Sequence, residues 1–169
     1  MFKQYDKTEL VIAFVTLVIL AAATVWMGKA EGAELPSDPV KCLADNIYFE
    51  AANEPFAGKV AVAQVTLNRV ADPAYPATIC GVVYDRHVNA DGKKVAAFSW
   101  TLGRAWRAPG PIDASKYAEC RRIAIGVIDG VLRSVVIDSS VKWYRAVYLN
   151  VNWHKRVAAK IGHHVFYRG

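Results

Sequence analysis

The chain has 169 residues, of which 54% are apolar, 21% charged and 11% aromatic. This composition excludes a disordered tail and a collagen-like repeat, and the length suits one domain with an appendage. Lys and Arg outnumber Asp and Glu by 21 to 15, giving a net charge of +6. Since residues 1–40 carry three Lys against five acidic residues, the basic character belongs to the rest of the chain.

The first predicted element is an apolar stretch without any charge, residues 10–28. Its 19 residues match the roughly 20 that a helix needs to cross a bilayer. The stretch is longer than the apolar core of a cleaved signal peptide, and neither of its faces is polar, which disfavours the alternative of a buried core helix. We therefore predict a transmembrane or signal-anchor helix, while Ala30 and Ala33 leave later cleavage open.

The charges around this stretch predict that the body is exported. Two Lys precede it and only Lys29 follows closely, which favours a cytoplasmic N-terminus. We expect the body at the periplasmic or cell-wall face, anchored at first in the inner membrane through residues 10–28. The predicted organisation is an N-terminal segment over residues 1–30, a short linker over 31–39 and one domain over 40–169.

Helical patterns dominate the first half of the body. Apolar and small residues at helical spacing predict a first helix over residues 40–52, which ends there because the residue before Pro55 avoids the helical conformation. Pro55 suits the first position of a second helix that continues to Val70. A short apolar turn or helix is predicted over residues 79–84.

The remaining patterns predict little β structure. A polar loop over residues 85–94 precedes a strand or hairpin over 95–101, which is short and partly aromatic. The longest helical pattern covers residues 114–132, with core contacts expected at Tyr117, Ile123, Ile128, Val131 and Leu132. No acidic residue follows Asp138, so the chain ends in a basic aromatic tail. The predicted fold is mainly α with a small β-hairpin or sheet.

Three cysteines, Cys42, Cys80 and Cys120, lie in the body. An oxidising compartment would permit one disulfide and leave one thiol, and the sequence does not select the pair. The three cysteines form no Cys-x-x-Cys pair, and their spacing is not that of metal ligands. We therefore predict structural cysteines, no metal site and no cofactor.

Glu50 is the first candidate for catalysis. It follows three apolar residues and precedes two alanines, near the C-terminal end of the first predicted helix. Apolar surroundings and the negative end of the helix dipole both disfavour the carboxylate. A carboxyl that stays protonated near neutral pH can donate a proton to a leaving glycosidic oxygen. Asn46 lies one turn earlier on the same face, where it is predicted to orient the carboxyl or a sugar amide.

Five separated blocks strengthen this interpretation: CLADNIYFEAANEPFAGKVAVAQVTLNRV, YPATICGVVY, FSW, WYRA and IGHHVFYR. In this order, from Val40 to Arg168, they resemble the SleB-type cell-wall hydrolases, which include spore-cortex-lytic enzymes and related bacterial and phage hydrolases. The resemblance implies a lysozyme-like or transglycosylase-like fold and cleavage of peptidoglycan glycan strands. It also implies that Glu50 is the catalytic glutamate.

The resemblance further implies a glycan cleft beside Glu50. Ser99 is expected to hydrogen-bond the carboxyl, and the Tyr144 hydroxyl is expected to contact the reacting sugar. Trp100 is assigned to sugar stacking or, equally well, to core packing. The matched blocks add three candidate substrate-binding residues: Tyr48, His163 and Tyr167. For His163 the alternative is a structural hydrogen bond.

Two positions depart from the family pattern. Arg145 stands where a His is common, and Ala97 replaces a commonly polar residue. A substrate contact at position 145 is therefore not assumed. Glu54 belongs to the turn between the first two helices and is interpreted as structural.

No second catalytic acid stands out, so a single-acid mechanism is predicted. Glu50 would protonate the glycosidic oxygen and then help the muramic C6 hydroxyl attack C1, as in a lytic transglycosylase, with hydrolysis by a muramidase as the near neighbour. A membrane-tethered module that binds peptidoglycan without cleaving it is the main alternative. The histidines of this chain do not have the spacing of a zinc amidase or peptidase. An exported body argues against nucleic acid as a partner. Phage lysis and bacterial wall remodelling both remain open, as does the oligomeric state.

Overall fold

The computed structural model describes residues 36–88, 91–102, 112–149 and 153–169. The apolar segment predicted over residues 10–28 lies outside this part of the chain, and so does most of the predicted linker. Among the described residues, no helix combines the length and the apolar character that a bilayer crossing requires. Residues Leu35–Gly169 cluster as one unit, which contains every element described below.

The first two helices lie close to their predicted bounds. Helix α1, Pro39–Ala51, begins at Asp38, whose carboxylate accepts hydrogen bonds from the backbone N–H groups at the helix start. Helix α2, Phe56–Val70, has Pro55 at its N-cap rather than at its first helical position. The prediction was therefore shifted by one residue at each start.

Helix α3, Ile79–Val83, confirms the short helical alternative, and the Thr78 hydroxyl caps it. Helix α4, Ala114–Ile128, ends a turn before the predicted end. The reason is Gly130, whose φ of +72° is left-handed and stops the helix. As a result Val131, predicted to lie in the core, is 80% exposed, whereas Ile123 is 1% exposed.

The main core lies between α1, α2 and α4. Its buried side chains come from one face of each helix and include Leu43, Ile47, Val60, Ala63 and Ile123. A disulfide joins Cys42 of α1 to Cys80 of α3, and Cys120 of α4 is a buried free thiol. Of the pairings that the sequence left open, the structure contains this one.

Two predictions on the middle of the chain hold only in part, since Val95 and Ala96 do lie in a strand of a hairpin. Strand β1, Arg86–Val88, occupies part of the predicted polar loop and pairs antiparallel with β2, Lys94–Ala96. The predicted strand over residues 95–101 continues instead as a 3-10 helix, Ser99–Leu102. Both the N–H and the hydroxyl of Thr101 donate to the Phe98 carbonyl, which closes a helical turn rather than a strand ladder.

The basic tail, for which no element was predicted, forms a three-stranded antiparallel sheet. Its strands are β3, Val141–Ala146, β4, Val157–Ile161, and β5, His164–Arg168, in the order β3-β5-β4. Val141 and Phe166 are fully buried against α2. This packing sets the middle of β3 against the C-terminal end of α1.

Candidate active site

Glu50 is the next-to-last residue of α1 and lies where the helical core meets the sheet. Burial raises the pKa of its carboxyl above the usual 4.5, and this effect exceeds the opposing effects of the Tyr144 hydrogen bond and of the Arg69 charge. The C-terminal position on a helix acts in the same direction as burial. Glu50 is thus a carboxyl that holds its proton to a higher pH than an exposed glutamate.

Tyr144 in β3 is the hydrogen-bond partner of this carboxyl. Its hydroxyl lies 3.4 Å from Glu50 Oε2 and donates to it. Burial, together with the neighbouring Glu50 charge, holds the pKa of the Tyr144 phenol well above its usual value, so the phenol stays protonated. It can therefore stabilise the carboxylate whenever Glu50 has released its proton.

Arg69 supplies the positive charge of the site, and sequence reasoning missed it. Its Nε donates to the Lys142 carbonyl over 2.8 Å, which ties the last turn of α2 to β3. Its guanidinium also lies 5.4 Å from the centroid of the Phe98 ring. The available signal was that Arg69 is the only charged residue between Val60 and Val70.

A cavity of about 190 Å³ opens beside the Glu50 carboxyl. Ser99 lines it together with Tyr144, as the resemblance implied for the cleft, and Arg69 forms another wall. Within the described part of the chain, the Glu50 carboxyl receives its hydrogen bond from Tyr144 rather than from Ser99. A sugar contact by Ser99 stays a prediction.

A larger cavity, of about 610 Å³, continues from the first and shares Arg69, Ala97 and Tyr144 with it. Tyr75, Trp143 and Trp153 provide aromatic surface along its walls. Together the two cavities form a groove that begins at Glu50 and passes the edge strand β3, a shape suited to an extended chain of sugars.

The ring of His164 packs against the ring of Tyr144. The imidazole is 7% exposed, and its ring centroid lies 5.2 Å from that of Tyr144 in an edge-on arrangement. Burial lowers the pKa of His164 below its usual value, so the ring is neutral at physiological pH. A neutral, buried ring thus packs against the tyrosine that donates to Glu50.

Two predicted site residues make contacts away from the groove, Asn46 in the core and Tyr48 at a half-buried position. Asn46 is fully buried, and its amide donates to the Thr66 hydroxyl over 3.1 Å. The Tyr48 hydroxyl accepts a hydrogen bond of 3.0 Å from the backbone N–H of Asp113. Both side chains thus connect helices, and direct contact with substrate stays a prediction for each.

Of three further candidates, Trp100 and Tyr167 make contacts with neighbouring rings, whereas His163 contacts Glu54 at the surface. Trp100 stacks on Phe49 with ring centroids 4.6 Å apart. Tyr167 is 4% exposed and meets the Trp153 ring at 5.5 Å. His163 donates its backbone N–H to Glu54 over 2.8 Å. Glu54 therefore holds the turn between β4 and β5, in line with its structural interpretation.

Arg145, which stands where the family commonly has a His, contacts the backbone near the end of β3. Its guanidinium donates to the backbone carbonyls of Ala146 and Leu149, so it holds the end of β3. Among the described residues, no group of His, Cys, Asp or Glu side chains is arranged to hold a metal ion.

Comparison with known proteins gives a family match. The sequence model of the Cell Wall Hydrolase family matches residues 53–167. That segment contains Arg69, Ser99 and Tyr144, while Glu50 lies three residues before its start.

The spore cortex-lytic enzyme of Bacillus subtilis (strain 168) is 39% identical over 49 residues, which are 29% of this chain and 16% of that protein. The Bacillus cereus spore cortex-lytic enzyme is 41% identical over 46 residues, 27% of this chain and 18% of that protein.

Two solved structures have a similar fold. The catalytic domain of the Bacillus cereus SleB protein superposes with a TM-score of 0.59 at 21% identity, covering 83% of this chain and 99% of that domain. The catalytic domain of the germination-specific lytic transglycosylase SleB from Bacillus anthracis gives the same TM-score at 22% identity, with 83% and 100% covered. The mainly helical architecture with small sheets is thus shared with these domains.

Proposed function

This chain belongs to the Cell Wall Hydrolase family, and from that premise we propose that it cleaves the glycan strands of peptidoglycan with Glu50 as the general acid. The observation that carries the proposal is the Glu50 carboxyl itself, because burial raises its pKa at the head of an open groove. A module that only binds glycan has no use for such a carboxyl.

The chemistry follows from the contacts of that carboxyl. Glu50 donates its proton to the glycosidic oxygen as the bond from C1 breaks, leaving a carboxylate and an oxocarbenium-like sugar. The Tyr144 hydroxyl, 3.4 Å from Oε2, and the Arg69 charge then stabilise the carboxylate. Tyr144 and Arg69 lower the Glu50 pKa against the larger effect of burial, and they thus favour the carboxylate that remains after proton transfer.

The second half of the reaction needs a base, and Glu50 supplies it. The carboxylate takes the proton of the muramic C6 hydroxyl while that oxygen bonds to C1, which regenerates the acid and leaves a 1,6-anhydro sugar. Among the described residues that line the smaller cavity, Glu50 is the only carboxylic acid. This composition supports a lytic transglycosylase, with water as the competing nucleophile of a muramidase.

Two acids in the larger cavity are the residues to test as a second carboxylate. Asp72 is engaged by Lys142, and the hydrogen bond from that lysine lowers the pKa of Asp72. Asp85 lies 3.7 Å from Nδ1 of His87. In the single-acid mechanism, neither Asp72→Asn nor Asp85→Asn changes the chemical nature of the product.

Mass spectrometry of digested murein is the decisive experiment. Anhydro-muramic ends are expected, and reducing muramic ends without anhydro ends would contradict the transglycosylase mechanism in favour of hydrolysis. Glu50→Gln is expected to lower the rate by at least about 100-fold, the usual contribution of a general acid. Full activity in Glu50→Gln would overturn both mechanisms, and binding without products in the unaltered chain would favour the non-catalytic module.

The same premise supports an exported enzyme. Residues 10–28 are long and apolar enough to anchor the chain, and the Cys42–Cys80 disulfide suits an oxidising compartment. Whether the segment is retained, cleaved or released is decided by fractionating cells before and after collapse of the membrane potential. Release on collapse would favour phage lysis, whereas retention would favour a bacterial enzyme that remodels its own wall.

A further inference from the structure

A second charged cavity, of about 460 Å³, lies at the end of the three-stranded sheet, apart from Glu50. It is formed where β3 begins, where β5 ends and where the chain enters β4. The residues around it carry basic or hydroxyl side chains, apart from a terminal glycine: Ser140, His154, Lys155, Arg156, Arg168 and Gly169.

The positive charge of this cavity is only partly neutralised. Asp138 accepts two hydrogen bonds from the Arg168 guanidinium, at 3.0 and 3.2 Å. Within the described ranges, neither Lys155 nor Arg156 has a carboxylate partner, and both side chains are exposed. Since no acidic residue follows Asp138 in the sequence, the cavity retains two cations for an external anion.

The cavity adjoins the groove that begins at Glu50. The Lys155 ammonium lies 3.6 Å from the centroid of the Trp143 ring, and Trp143 also lines the larger cavity of the groove. Along β3, Ser140 precedes Tyr144 by four residues, which corresponds to about 13 Å of strand. A ligand along the groove can therefore reach Glu50 and the basic cavity at the same time.

We propose that Lys155 and Arg156 bind carboxylates of the peptide stems that project from the glycan strand. The inference rests on the proposed function, since it concerns the same substrate. A stem carries free carboxylates on a short peptide branch, so they can reach a cavity that lies about 13 Å along β3 from Tyr144. The guanidinium of Arg156 presents the paired N–H groups that match a carboxylate, and Lys155 adds a point charge.

Binding to two forms of one polymer tests the proposal. The full chain carrying Glu50→Gln is incubated with intact glycan strands and with strands whose stems an amidase has removed. Adding Lys155→Gln and Arg156→Gln is expected to weaken binding to intact strands about tenfold, which is the scale of losing charge-assisted hydrogen bonds at an accessible site. Binding to stripped strands is expected to stay the same.

A double Arg121→Gln, Arg122→Gln variant is the matched control, because it removes two exposed positive charges from α4, away from the cavity. It is expected to leave both affinities unchanged, and thermal unfolding of each variant checks that the fold is kept. Equal weakening on both kinds of strand, or none on either, would overturn the proposal. A loss seen only with walls that carry phosphate polymers would also overturn it and would assign the cavity to phosphate.

Cleavage is measured separately on the stripped strands with Glu50 intact. Products from stripped strands support the proposed function even where the stems prove irrelevant to binding. Conversely, stem-dependent binding without any cleavage would contradict the proposed function while leaving the recognition of stems in place.

Discussion

The Tyr144 hydroxyl donates a hydrogen bond to Glu50 Oε2 over 3.4 Å and so joins the end of α1 to the middle of β3, across 94 residues of sequence. This bond favours the ionised carboxylate, while burial favours the protonated acid and has the larger effect on the Glu50 pKa. Glu50 is therefore held as an acid in a setting that also stabilises its conjugate base.

Removal of the Tyr144 hydroxyl is expected to raise the Glu50 pKa further. In Tyr144→Phe the carboxylate loses its donor while the burial is kept, so the alkaline limb of the kcat/KM profile should move to higher pH. The profile is measured on soluble glycan strands. Tyr148→Phe is the control, since that tyrosine is 80% exposed; an equal shift in both variants, or none in Tyr144→Phe, would contradict the assignment.

Arg69 is expected to act through charge on Glu50 and through a hydrogen bond on the fold. Arg69→Gln removes both effects, so the alkaline limb should move to higher pH and stability should fall by about 1 kcal/mol, the net value of one hydrogen bond. Arg69→Lys keeps the charge and loses the Nε bond to the Lys142 carbonyl. It should therefore lose stability with little shift of the limb, and a full shift in Arg69→Lys would refute an electrostatic role.

Glu50 is expected to make the fold less stable as pH rises. Burial raises the pKa of Glu50 in the folded chain, so the unfolded chain releases this proton first and the free energy of unfolding falls between the ordinary value of 4.5 and the folded pKa. Glu50→Gln imitates the protonated form. Urea unfolding should find it more stable than the parent at neutral pH and about equal to it well below pH 4.5; lower stability at neutral pH would speak against a buried acid.

The turn between β4 and β5 is expected to tolerate only glycine at position 162. Gly162 has a φ of +56°, and a Cβ there would collide with the Glu54 carboxylate that holds the turn. Gly162→Ala should cost about 1–3 kcal/mol. Gly92→Ala is the control, because Gly92 is also left-handed, with a φ of +74°, but has open space around it. Equal losses on denaturant unfolding would show that Glu54 plays no part.

Reduction of the Cys42–Cys80 disulfide is expected to loosen α3 from α1. The bond closes a loop across 38 positions, so its loss should cost about 2–4 kcal/mol. Thermal unfolding with and without reductant measures this. A double Cys42→Ser, Cys80→Ser variant should no longer respond to reductant, and an unchanged Tm in the reduced parent would contradict a structural bond.

The helices and the acid were accessible from sequence because their signals are local. Helical spacing, Pro55 and the apolar neighbours of Glu50 act within a few residues, so they placed α1 and α2 within a residue of their starts. The 3-10 turn at Ser99 was missed because its aromatic neighbours also suit a strand, and the hydrogen bond from the Thr101 hydroxyl to the Phe98 carbonyl is not visible in the sequence pattern.

The sequence by itself determined the helical core, the family resemblance and the one carboxyl for which apolar neighbours and a helix end favour the protonated form. The resemblance already placed Tyr144 in a cleft beside Glu50, but only the tertiary structure gave its hydrogen bond to the carboxyl, brought Arg69 to the site and sent Asn46 to Thr66. The physical reason is range: helix periodicity and dipole act along the chain, whereas burial and hydrogen bonding depend on which distant strand packs against the helix end. The sheet in the basic tail was not predicted for the same reason, because strand pairing depends on partner strands that cannot be identified from composition.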